Sequence, residues 1–419
     1  MKKKILITGG SGYLAGSISS FLCQNKNYEV SICSSSNIES KHGEINTLRV
    51  DWNKKSSLRN ICKSKDIIIH CASPDANFSK KNPEASYEFS NNILDSFLNE
   101  AIRNKVKKFI YFSSAHVYQP KLEGVLNEKS PIIPEHPYGV TKKIAEQTLL
   151  NKKELIEVNI IRLSNAFGIP SNENLNCWRL VVNDFCKQVV LNKEIIINSD
   201  GSQIRNFVSV NEVCRLIDFM INCFYKQKLL PYVFNFGGNW TLSILDLAKV
   251  IANQYEKIFD INPPIRIKKK SKIYTPKLNF DFSLITKNGF KPHDTNLADI
   301  NELFSYVKNN KLENEGSSIT EGIGTGRVTK NFEKALIDDA FQTGDVEALN
   351  LVYQLIEDQK IVLGGSSGIN IAGAIKLAKK IGPGKTIVTI LCDHGKRYAS
   401  KIFNKKFLKS KNLPIPKWL

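Results

Sequence analysis

The chain has 419 residues, 42% of them hydrophobic and 24% charged, enough for two or three domains of about 150 residues and too many for a small disulfide-stapled fold. No uninterrupted apolar run approaches the roughly 20 residues that span a bilayer, and the basic residues 2–4 give way to glycines from Gly9, so the reading is a soluble, cytoplasmic protein with no membrane partner and no export segment. The 59 Lys and Arg against 40 Asp and Glu leave a net charge of +19.

That surplus is diffuse, since residues 321–419 carry 16 basic and 9 acidic side chains. The runs at 2–4 and 268–270 lack the interleaved aromatics of a nucleic-acid groove. We therefore expect no nucleic-acid partner and a mild attraction for anionic small molecules. The nine cysteines contain no C-x-x-C pair, which points to a reducing compartment and to no metal site.

In chain order, an apolar run at 4–8 leads into Gly9-Gly10-Ser11-Gly12-Tyr13-Leu14-Ala15-Gly16 and then a stretch with helical spacing. Strand, glycine turn and helix in that order cradle a pyrophosphate: Gly9 makes the turn, Gly12 lets the backbone approach, and small Ala15 or Gly16 lets the helix lie close to the strand. Strands are predicted at 29–33, 48–50 and 67–71 with helices between them, the alternation of an α/β doubly wound parallel sheet of Rossmann type. The second strand ends in Cys33-Ser34-Ser35-Ser36-Asn37, where an acidic residue would bind the hydroxyls of the adenosine ribose. Its absence favours NADP over NAD, although no arginine is at hand either, and both dinucleotides stay open. Ser34 and Asp51, which ends the third strand, are candidate contacts at the adenosine end.

Further on, a strand ends in Phe112-Ser113-Ser114, and Pro137-Tyr138-Gly139-Val140-Thr141-Lys142 opens a helix. Tyr138 and Lys142 are four apart and share a face, so the ammonium can lower the phenol's pKa and hold a ribose while Ser114 hydrogen-bonds a substrate oxygen. Such a trio moves a proton to or from an alcohol while a hydride moves to or from a nicotinamide.

With these motifs the chain resembles the extended short-chain dehydrogenase/reductases, the sugar-nucleotide epimerases, dehydratases and reductases, over residues 1–308. The likeness extends to Asn91-Asn92, to the stretch from Arg162 through Asn165 to Gly168, and to the stretch from Gly201 through Arg205 to Val208. It implies a nucleotide-sugar substrate, a smaller substrate-binding part drawn mainly from 165–308, Asn91 as a cofactor contact, Asn165 as a substrate contact and Arg205 gripping a diphosphate. Ala115 and His116 stand where the 4,6-dehydratases carry an acidic pair, so epimerisation or keto-sugar reduction is expected rather than dehydration, with His116 read as structural. The resemblance also implies a homodimer through helices near 84–104 and 138–150, whose faces a monomer would equally bury.

Residues 309–320 are polar and without apolar period, a linker. Beyond it, 318–419 resemble the C-terminal part of pyridoxal-phosphate-dependent cysteine synthase, a partial α/β module over 321–419. The likeness is carried by the stretches Glu321 to Arg327, Gly364 to Asn370 and Ile387 to Tyr398. It implies that Ser366 is the pyridine contact. The Schiff-base lysine and phosphate loop of that family lie upstream, where this chain has a different module, so bound pyridoxal phosphate is not expected. Strands cut from a larger sheet would leave an edge and an apolar face needing a covering partner. The rival readings are a cysteine-synthase-like enzyme or interaction module, and a nonenzymatic dinucleotide-binding regulator.

Overall fold

Runs of isoleucine, valine and phenylalanine between glycine and polar turns build the strands. The computed structural model describes residues 2–36, 45–119, 122–171, 175, 177–269, 277–309, 341 and 343–419. It divides into two units, Met1–Leu312 and Glu313–Leu419.

The first unit opens with β1 (Lys3–Thr8), α1 (Tyr13–Leu22), β2 (Tyr28–Ser34), β3 (Asn46–Arg49), α2 (Lys55–Cys62), β4 (Ile67–His70), α3 (Ala76–Lys81) and α4 (Pro83–Glu88). A π-helical turn, Phe89–Ile93, leads into α5 (Leu94–Arg103), β5 (Lys108–Ser114), β6 (Gly124–Leu126), α6 (Pro137–Leu150) and β7 (Glu157–Leu163). Next come β8 (Asn165–Phe167), α7 (Val181–Asn192), β9 (Ile195–Ile197), β10 (Ile204–Ser209), α8 (Val210–Tyr225), β11 (Val233–Phe236) and β12 (Trp240–Ser243). The unit ends with α9 (Ile244–Phe259), β13 (Ile265–Ile267), β14 (Leu278–Phe280), α10 (Ser283–Lys287) and α11 (Asn296–Asn309).

Seven strands form one sheet in the order β11-β7-β5-β4-β1-β2-β3, and every pairing within it is parallel. A parallel sheet is covered on both faces, which is why its strands read as near-continuous apolar runs. Alternation divides β1: Ile5 and Ile7 pack with Ile18, Leu22 and Met220 on one face, while Leu6 packs with Leu58, Phe97 and Leu149 on the other. The doubly wound sheet expected from the sequence is present.

Only Ser164 separates β7 from β8, and there the chain leaves the large sheet for a three-stranded one ordered β12-β10-β8. This second layer packs against α7, α9 and α11 through Phe185, Val189, Leu247, Ile251, Leu303 and Phe304.

In the second unit the helices Asp345–Gln359 and Gly365–Ile381 pack together. A Cβ on Gly368 would lie 2.5 Å from the Ala348 carbonyl oxygen, so glycine is what allows that approach. Leu349, Val352, Tyr353, Ile402 and Leu408 form a small core. Among the described residues the only β pairing here is the isolated bridge between Leu363 and His394. The apolar run 386–392 lies outside any strand, and Val388 is 89% exposed. Among the described residues of this unit it has no neighbouring strand to satisfy its backbone. Also among the described residues, no helix is long and apolar enough to cross a membrane, and no group of three or more His, Cys, Asp or Glu is placed to hold a metal.

His70, at the end of β4, is buried with its Nδ1 2.8 Å from Thr8 Oγ1. Desolvation, then the charge of Lys142, push its pKa down to about 3. A free histidine titrates near about 6.5. Between these values the unfolded chain binds a proton that the folded chain refuses, so stability is full above about 6.5 and falls as pH drops toward 3. Denaturant titrations at pH 7 and pH 5 are expected to give a smaller loss for His70→Gln than for the unsubstituted protein.

Candidate active site

The glycine turn joins β1 to α1. Gly9 has φ +74°, and a Cβ there would sit 2.8 Å from the Ala72 amide nitrogen, so both conformation and space demand glycine. Gly12 donates to the Gly9 carbonyl at 2.7 Å and caps α1 with no side-chain bond, leaving the helix's first amides open to an anion. Ala15, in the first turn of that helix, is fully buried. These residues fit the pyrophosphate of a dinucleotide: the turn offers backbone amides at the start of α1, and a side chain at Gly9 would drive the turn off the Ala72 backbone.

At the adenosine end, Ser34 is buried, Ser11 Oγ lies 3.2 Å from its hydroxyl, and Ser36 Oγ lies 3.0 Å from it. Asp51 is exposed; its carboxylate accepts from the Asn53 amide at 3.1 Å and meets Lys54 Nζ at 3.2 Å, which holds its pKa below the usual carboxylate range. One sequence expectation is corrected here. An arginine is at hand, because the β2–β3 register sets Arg49 opposite Ser34. It is remote from the β2 end in sequence, so only the parallel pairing reveals it.

The reacting end is assembled by α6 and β5. Tyr138, Lys142 and Glu146 recur every four residues and share one face of α6. Ser114 ends β5 and hydrogen-bonds the Tyr138 phenol; its Oγ also accepts from the His116 amide at 3.2 Å. Lys142 Nζ donates to the Phe112 carbonyl at 2.8 Å and lies 5.5 Å from the Tyr138 ring centre. Desolvation pushes the Lys142 pKa down to about 8 and that of Tyr138 up to about 12. The expected lowering of the phenol by Lys142 is therefore not met in the protein alone. Burial outweighs the lowering by the Ser114 hydroxyl, and the Lys142 ammonium gives its hydrogen bond to a backbone carbonyl. His116 stands edge-on to Tyr138, ring centres 6.2 Å apart, and its pKa is lowered by desolvation and then by Arg205 and His136.

Glu146 anchors this helix from below. It accepts from Ser113 Oγ at 2.5 Å and from Arg162 Nη2 at 2.7 Å, with both charged side chains nearly fully buried. Arg162 in turn donates to the Tyr118 hydroxyl at 3.2 Å, and Tyr118 donates to Asn235 Oδ1 at 2.5 Å. One network thus ties α6 to β5, β7 and β11.

On the substrate-layer side, Arg205 Nη1 lies 3.3 Å from Asn165 Oδ1, and the two line a cleft of about 350 Å³ together with Arg179, Asn198 and Ser199. Desolvation lowers the Arg205 pKa. Arg179, just before α7, was not singled out from the sequence; its one signal is a basic residue between Trp178 and an apolar helix start. Asn91 is exposed on the π-helical turn. That turn is held to α6 by Thr148 Oγ1 donating to the Ser90 carbonyl at 3.3 Å.

The family model described as the NAD dependent epimerase/dehydratase family matches residues 5–236, and the chain belongs to that family. Its members are enzymes. Over 324 residues the chain is 27% identical to a putative UDP-glucose 4-epimerase of Methanocaldococcus jannaschii, covering 73% of this chain and 99% of the relative. The crystal structure of UDP-glucuronic acid 4-epimerase from Bacillus cereus, in complex with UDP-glucuronic acid and NAD, superimposes with a TM-score of 0.60 at 23% identity. It covers 73% of this chain and 99% of the other, a likeness of fold. A distinct segment of 98 residues is 44% identical to cysteine synthase of Dictyostelium discoideum. That match covers 23% of this chain and 26% of the relative, so the chain spans about a quarter of the length of the cysteine synthases it matches.

Removing one partner of the Glu146–Arg162 pair leaves a buried charge uncompensated. Glu146→Ala is expected to cost about 3–5 kcal/mol of unfolding free energy, measured by urea denaturation, whereas Lys54→Ala, which breaks an exposed pair, should leave it nearly unchanged.

Proposed function

We propose that the first unit is an NAD(P)-dependent enzyme that interconverts an alcohol and a ketone at a ring carbon of a nucleotide sugar. The observation that carries this reading is the meeting of the Ser114 hydroxyl, the Tyr138 phenol and the Lys142 ammonium at the ends of β5 and α6. They stand on the same sheet edge as the glycine turn, with residues 70–72 between them: Lys142 acts on the charges of His70 and Cys71, and Gly9 packs on Ala72.

The dinucleotide would rest its pyrophosphate on Gly9, Gly12 and Ala15, its adenosine end near Ser34 and Asp51, and its nicotinamide ribose by Tyr138, Lys142 and Asn91. When bound it supplies the acceptor or donor of the hydride. Ser114 donates a hydrogen bond to the substrate oxygen. Tyr138 takes the hydroxyl proton when the carbon is oxidised and returns it to the carbonyl oxygen when the carbon is reduced. Lys142 is charged below pH about 8 and holds the ribose. Asn165, Arg205 and the newly placed Arg179 would take the substrate's nucleotide end, the guanidiniums gripping a diphosphate.

Keto-sugar reduction is favoured by the phenol, which stays a proton donor up to about 12. Epimerisation is favoured by the match to the putative 4-epimerase over 99% of its length. Ala115 and His116 supply no carboxyl pair for dehydration. The tail, lacking the Schiff-base lysine and phosphate loop that its likeness places upstream, runs no pyridoxal chemistry by itself.

Tyr138→Phe removes the proton carrier and is expected to lower kcat by about 10²-fold or more while dinucleotide affinity stays within about twofold, the two read by steady-state kinetics and fluorescence titration. Unchanged turnover would return the protein to the class of binding regulators. The pH–rate profile should fall as pH rises through about 8, where Lys142 loses its proton, and Lys142→Arg should move that limb upward.

A further inference from the structure

The cleft of about 350 Å³ that holds Arg179 and Arg205 also carries a carboxylate, Asp184, in the first turn of α7. Its side chain is half-buried, and Oδ2 accepts from Gln188 Nε2 at 2.8 Å. Gln188 is pinned in turn: its Oε1 accepts from the backbone amide of Ile196, which lines the same cleft, at 2.7 Å. That bond fixes the amide nitrogen as the donor to Asp184 and so holds the carboxylate in place. Among the described residues Asp184 forms no ion pair, and nothing bonds its Oδ1. An acid placed only to meet the helix dipole would stand in water with a lowered pKa. Desolvation instead raises that of Asp184, against Gln188 and the charge of Lys187. Arg205 is shifted by desolvation alone, so the carboxylate and that guanidinium stand apart in the cleft.

A nucleotide whose diphosphate meets Arg205 extends its ribose and base away from that guanidinium, and Asp184 is the one acidic side chain lining the cleft there. Leu180, Val181 and Ile196 line it too and offer apolar surface to the flat faces of a base. An ionised carboxylate only accepts hydrogen bonds. Uracil and thymine present a single N–H between two carbonyl oxygens, which a carboxylate repels. Cytosine and adenine present an amine beside an unprotonated ring nitrogen, a second acceptor facing the first. Guanine sets its N1–H and its 2-amino group side by side, two donors for two carboxylate oxygens. We infer that Asp184 reads the base of the nucleotide sugar and selects guanine, so that the substrate is a GDP-sugar. This rests on the nucleotide-sugar reading above and deepens it. Gln188, through Asp184, is a positioning residue for that contact.

The test is calorimetric titration of the full-length protein with GDP, UDP, dTDP, CDP and ADP. GDP is expected to bind at least about tenfold more tightly than each of the others, as charge-assisted hydrogen bonds to a desolvated carboxylate require. Asp184→Asn, close in shape and able to keep the Gln188 contact, should weaken GDP by about tenfold or more and leave UDP within about twofold. Inorganic pyrophosphate, which has no base to read, should bind the variant and the unsubstituted protein alike, and this control shows that the cleft of the variant is intact. Any other nucleoside diphosphate binding as tightly as GDP, or an Asp184→Asn variant that weakens GDP and UDP equally, would overturn the inference while leaving the nucleotide-sugar reading standing. Binding of none of the five would remove that reading, and this one with it.

Discussion

The site depends on a buried charge pair that never touches substrate. Glu146 and Arg162 meet inside the first unit with Ser113, Tyr118 and Asn235 completing the hydrogen bonds. Desolvating two charges is costly, and such a pair holds only where its geometry and remaining bonds are satisfied. Because Glu146 lies one turn beyond Lys142 and two beyond Tyr138, satisfying it fixes the rotation of α6. Because Ser113 is the neighbour of Ser114, the same bond fixes the end of β5. The phenol, the ammonium and the serine hydroxyl are thereby placed by one constraint, and Lys142 is left to spend its proton on the Phe112 carbonyl in a desolvated setting.

Much of this was legible in the sequence, because the features obey short-range rules. The glycine turn, the four-residue spacing of Tyr138 and Lys142, and the strand ending at Ser114 are local patterns, and each lies where it was expected. What escaped is set by strand pairing and burial. Arg49 reaches the β2 end only through the parallel register. Arg179 joins Arg205 only because α7 and β10 border one cleft. The direction of the Tyr138 shift depends on how much protein surrounds the ring, and spacing carries no measure of that. Glu146 and Arg162 are ordinary charged letters in the sequence until the fold buries them.

The tail shows the same limit from the other side. Its sequence is close to that of cysteine synthases, with 44% identity over 98 residues, yet it corresponds to only 26% of the relative. Local rules still build its two long helices, where Gly368 permits close packing. The apolar run 386–392, whose residues include Ile390 at 71% exposure, forms no strand. A strand is defined by its neighbours, and a helix largely by itself.

The central claim is that the glycine turn and the Ser114–Tyr138–Lys142 group address the two ends of one dinucleotide. A crystal structure of the full-length protein grown with a saturating nicotinamide dinucleotide tests it most directly. The account predicts the pyrophosphate over Gly9 and Gly12 and the nicotinamide ribose within hydrogen-bond reach of Tyr138 and Lys142. A dinucleotide bound away from the glycine turn, or one whose nicotinamide points away from Tyr138, would contradict it.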